Sequence, residues 1–185
     1  MGHLLFRATE LAPVGNPAYP EMAMAFLQAD IIDNGGENAG EIAEVFAQRN
    51  ILHPETTEAL VANTMSEVPY VKLRKSATEE KGAAKFLEDK REKLGLPDGQ
   101  EFEFVNAYKN DRGETYINYA TKRLGKLDDP DFGTNEGSRF EGTGGLTLLF
   151  DESGKLKAKT YDPVTDREMN NIKDFIRERS LAGQF

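Results

Sequence analysis

The side chains that could do chemistry in this chain of 185 residues are many carboxylates, two histidines and no cysteine. An imidazole zinc site needs two histidines within about one helical turn, or a His-Glu-x-x-His pattern; His3 and His53 satisfy neither. Without cysteine there is no thiolate nucleophile, no disulfide and no thiolate zinc site. No Gly-x-Ser-x-Gly elbow is present for a hydrolase serine. The glycine-rich stretch "GTNEGSRFEGTGG" lacks the Gly-Lys-Ser/Thr ending of a phosphate loop and does not lead from a strand into a helix. Asp128, Asp129, Asp131 and Glu136 offer the hard oxygens that calcium prefers. Gly133 falls where an EF-hand needs a side-chain ligand, and a charge run of this kind is ordinarily a solvated loop, so calcium binding by residues 128–136 stays open. Glu101 and Glu103 share one strand face and would repel each other, which marks a solvated face rather than an acid–base pair. No catalytic residue, no metal ligand and no cofactor is assigned.

Composition narrows the class further. Hydrophobic content of 38% with 30% charge describes a globular chain with a packed core, and no run approaches the roughly 18 apolar residues of a membrane span. The first ten residues, "MGHLLFRATE", lack the features of a secretory signal, so the chain is expected in the cytoplasm or exported by a route it does not encode. A net charge of −9 argues against nucleic acid or a phosphate-rich surface as partner. The charge is uneven: residues 1–60 hold two basic and nine acidic side chains, a net of −7. The rest carries only −2, a shift that often accompanies a structural boundary.

The elements that must position these groups fall into three zones. Residues 1–53 read as helical, with Leu4, Leu5, Ala8 and Leu11 on one stripe and Pro13 as the stop. Ala23, Phe26, Leu27 and Ile31 face inward on the next helix, which Asn34-Gly35-Gly36 ends. Asn38 caps a third, with Glu41 at capping-box spacing and Ile42, Val45 and Phe46 as its stripe. Residues 54–100 read as a helical connector: a short helix over 54–64, then a longer one opened by Ser76 and Glu79 and stopped by Gly95. Residues 101–185 read as two β-hairpins, around "NDRG" and "DESG", and a final helix opened by Asp162 and Pro163 with Met169, Ile172, Phe175 and Ile176 inward. A mobile loop, Leu127 to Gly145, is expected between the hairpins. The fold class is α+β: an N-terminal helical segment, then a small antiparallel sheet with one face covered by the C-terminal helix.

One stretch carries more than periodicity. "NPAYPEMAMAFLQADIIDNGGEN" followed by "EIAEVFAQRNI" resembles the C-terminal helical lobe of fungalysin-type and thermolysin-type zinc metallopeptidases, the gluzincins. The matching residues are Asn16, Pro17 and Tyr19, then Leu27 to Asp30, Gly35 to Asn38, and Val45 to Arg49. Asn50 stands where that family has glycine, and asparagine tolerates the left-handed backbone next best. The resemblance covers residues 1–52. It implies a lobe that walls a peptidase cleft, while the family's zinc-binding helix and acid–base histidine lie upstream of this lobe and match nothing here.

Three functions follow as expectations. The chain is a non-catalytic segment of a gluzincin-like metallopeptidase, a scaffold for a catalytic polypeptide; or a stand-alone acidic interaction module such as an inhibitor, immunity or adaptor protein; or a small enzyme using sheet and loop carboxylates. Under the first two, Leu4, Leu5, Phe26 and Phe46 are the candidate partner surface, for a catalytic peptidase polypeptide or for self-association.

Overall fold

The computed structural model describes residues 2–12, 19–52 and 68–184. Pro13, Asn16, Pro17, His53 and the expected helix over 54–64 lie outside the described residues.

Four strands pair in sequence order, all antiparallel: β1 (Phe102–Lys109), β2 (Thr115–Lys126), β3 (Arg139–Phe150) and β4 (Leu156–Asp162). Among the described residues five α-helices accompany them: α1 (Gly2–Leu11), α2 (Tyr19–Asn34), α3 (Ala39–Gln48), α4 (Glu80–Lys90) and α5 (Asp166–Leu181). The fold is α+β. Both hairpin turns stand where expected, with Gly113 and Gly154 each at positive φ.

Helices cover both faces of the sheet, not one. The reason lies in β3, where residues 144–150 are buried without interruption, the pattern of a strand with no solvent face. Leu146, Leu148 and Phe150 point to one side and pack with Ile117, Tyr119, Phe86, Leu87 and Leu94 under α4. Leu149 points to the other, with Tyr116 and Ala158, and meets Ala8 and Leu11 of α1 and Ala25 and Ala29 of α2. The helical segment and the sheet therefore share a core.

α2 sits in the middle of its layer, which explains a sequence that is apolar on every side. Ala25 and Ala29 face the sheet and α1, while Ala23 and Leu27 pack with Ala39 and Ala43 of α3. On α3 Ile42 and Phe46 pack inward as expected, joined by Ala39 and Ala43, while Val45 is exposed.

Further expectations are corrected. Asn38 makes no side-chain cap bond to α3. Ser76 belongs to a 3-10 turn, Lys75–Thr78, whose carbonyl accepts from Glu79 N–H. That turn lies so close to α4 that a Cβ on Gly82 would fall 1.7 Å from the Ser76 carbonyl oxygen. α5 begins at Asp166, because Asp162 is still paired with Gly145 in the sheet, and Phe175 faces solvent. The expected loop from Leu127 to Gly145 is shorter than read: Arg139 to Gly145 are ladder, with β2 and β3 paired as far as Lys126 and Arg139. Gly142 serves close approach, while Gly133 and Gly137 take turn positions at positive φ. A Cβ on Gly142 would come 2.6 Å from atoms of both Met169 and Val164. The remaining turn holds Phe132, fully buried, with the Arg177 guanidinium 5.1 Å from its ring centre.

Candidate functional site

The residues proposed as a partner surface do not form one patch. Leu4 and Phe26 pack against the core that α1 and α2 share with the sheet. Phe46 packs against the α2–α3 core, its ring 5.9 Å from that of Phe26. Only Leu5 of the four is exposed, at 52% of its full surface. Its neighbour Phe6 is 72% exposed, and Tyr19 at the start of α2 is also open.

Between α1 and the β1–β2 hairpin lies a feature that sequence reading missed. Arg7 stands three residues after Leu4 and is only 2% exposed, a charge set in the apolar stripe. Its Nη1 donates to Glu114 Oε2 at 2.7 Å and to the Tyr116 hydroxyl, and its Nη2 donates to Glu114 Oε1 and to Asp33 Oδ1, both at 3.0 Å. Nε completes the set on the Asp33 carboxylate. Five N–H groups thus meet acceptors from α2, from β2 and from Glu114 just before β2, the planar fork that only arginine offers. Lys157 of β4 donates to Glu114 Oε1 at 2.7 Å, Asn110 to Glu114 Oε2 at 3.0 Å, and Arg112 to Asp33 Oδ1 at 3.1 Å. Tyr116 donates onward to Glu10 at 2.9 Å, with the Tyr108 ring stacked on it.

Burial works against the charge on Glu114, but the hydrogen bonds from Arg7, Lys157 and Asn110 outweigh it and bring its pKa down to about 2. Asp33 is held below its ordinary range in the same way, burial opposing and Arg7 and Arg112 prevailing. Burial also presses on Arg7, yet Glu114 and Asp33 raise its pKa, so it stays protonated. Burial and the nearby Glu10 push the Tyr108 hydroxyl up to about 12. Every strong charge here has found an internal partner. The cluster is a clamp that pins two helices to the sheet, and it leaves no base or nucleophile free.

A second brace explains the motif residues. Asp30 is fully buried and accepts from Asn34 Nδ2, Asn38 Nδ2 and the Asn38 backbone N–H, each at 2.8 Å. Burial opposes its charge, and these bonds from the end of α2 and the start of α3 still lower its pKa. Gly35 and Gly36 take the left-handed turn between them, and Asn50, φ 55°, ends α3 as expected of a glycine substitute. Two residues before Asp30, Gln28 accepts from Thr160 Oγ1 at 2.6 Å and ties α2 to β4.

The acidic stretch 128–136 is largely engaged. Asp128 pairs with Lys173 at 2.6 Å, and Asp129 accepts from the Asp131 backbone N–H at 2.9 Å. Among the described residues no group of three or more Asp, Glu or His side chains is arranged to hold a metal ion, and no helix is long and apolar enough to cross a membrane. No protein-family model matches this chain, and no curated protein or solved structure is significantly similar to it.

Proposed function

We propose that the chain works by binding another polypeptide through the outer side of α1 and performs no reaction of its own. The observation that carries this reading is the division of labour on α1. Arg7, Ala8 and Leu11 are spent inward on the clamp and the core, while Leu5 and Phe6 stay in water. Exposed aromatic side chains are the usual anchors of protein contacts, and the acidic N-terminal segment would steer a basic partner toward them. A stand-alone interaction module, such as an inhibitor, immunity or adaptor protein, fits best, because the helical segment already covers its inner face with its own sheet.

A second reading is the scaffold for a gluzincin-like catalytic polypeptide. It is favoured by Gln28, Asp30, Gly35, Gly36, Asn38 and Asn50, residues of the peptidase-like stretch that here build one compact helical unit. Both readings expect the isolated chain to leave casein uncut, with or without added zinc. Metal-dependent cleavage that follows the protein through successive columns would overturn them together.

A further inference from the structure

We propose that the groove between residues 70–74 and the C-terminal end of α4 is a binding site for a compact phosphorylated ligand. Residues 70–74 run along the start of β4: Leu156 N–H donates to the Val71 carbonyl at 2.8 Å and Leu73 N–H to the Gly154 carbonyl at 2.7 Å. Val71 is therefore turned into the core, and Tyr70, Lys72 and Arg74 alternate outward. Lys90 and Lys93 form the opposite wall of an open groove of about 360 Å³. That volume lies within the range of small-ligand sites.

Four cations line this groove in a chain of net charge −9. Lys90 and Lys93 would complement a helix C-terminus wherever they stood. That explanation does not reach Lys72 and Arg74, which come from a different element and converge on the same space. Among the described residues Lys72, Lys90 and Lys93 have no ion-pair partner, and Arg74 has a single exposed pair with Asp89 at 2.9 Å. An exposed pair of that kind is weak and yields readily to a stronger anion. Lysine is a point-charge binder of phosphate, and Tyr70, 69% exposed, offers a flat face for a ring. The chain's net charge of −9 disfavours a long polyanion, so a small ligand is favoured over a nucleic acid.

Isothermal titration calorimetry with inorganic tripolyphosphate and with ADP tests the site. Saturable equimolar binding is expected at low salt, weakening as salt screens the lysines. The double variant Lys72→Gln/Lys93→Gln should bind at least about tenfold more weakly at an unchanged melting temperature, since both side chains are exposed and unpaired. Tyr70→Ala distinguishes the sources. Weaker binding of ADP alone assigns a nucleotide, and no change with either probe assigns a free polyphosphate. Absence of saturable heat with both probes, or full binding by the double variant, would overturn the proposal.

Discussion

Replacing Arg7 by methionine should cost about 3–5 kcal/mol of folding stability, the penalty for stranding buried charges by removing one partner. Methionine keeps an unbranched apolar side chain within the stripe, so the loss reports chiefly the guanidinium. Glu114 and Asp33 would keep Lys157 and Arg112, and the result should fall toward the lower end of that range. Lysine at position 7 should rescue little, because a single ammonium cannot reach Glu114, Asp33 and the Tyr116 hydroxyl together. Urea denaturation reads the change directly. A loss below about 1 kcal/mol would mean that the clamp contributes no more than a surface ion pair.

Acid should undo the same clamp. Glu114 has its folded pKa depressed to about 2, against about 4.3 for an ordinary glutamate in the unfolded chain. The unfolded state therefore takes up its proton first as the pH falls. Stability from this group is complete above the ordinary value and is lost as the pH drops through the folded one. Asp33 and Asp30, both lowered, add to the same slope. The melting temperature should hold steady near neutrality and fall steeply between about pH 4.5 and pH 2, the window set by those values. In Glu114→Gln the protein should start less stable and lose stability less steeply across that window. An identical slope in both proteins would remove Glu114 from the account of acid unfolding.

The sheet was legible because its signals are local. "NDRG" and "DESG" sit between alternating runs, and each turn is closed within four residues. Helix existence was legible for the same reason. The errors arose where a distant contact overrode a local signal. Asp162 and Pro163 look like a helix start, yet pairing with β3 keeps Asp162 in the sheet. Gly142, Gly144 and Gly145 look like a loose loop by composition, while the space that Met169 and Val164 need makes Gly142 a strand glycine. The clamp was illegible in the strict sense, since Arg7 and Glu114 are 107 residues apart. Its one trace is an arginine within the stripe of Leu4, Ala8 and Leu11, which the expected solvent exposure of charge would not place there. Leu5 shows the converse. It shares a helical stripe on paper, but Arg7 claims the buried arc and turns Leu5 outward.

The partner-binding reading is tested most directly by a photo-reactive phenylalanine at position 6, compared with the same group at Glu88, an exposed position on α4. Both proteins would be illuminated in an extract of cells that express the chain naturally, and the adducts identified by mass spectrometry. The account predicts a discrete adduct from position 6 and none of it from position 88. Twice the chain's mass would name a second copy as the partner, and a polypeptide with a His-Glu-x-x-His helix would select the peptidase scaffold over the stand-alone module. If position 6 gives no adduct beyond those at position 88, the outer side of α1 is ordinary surface and the proposed function is contradicted.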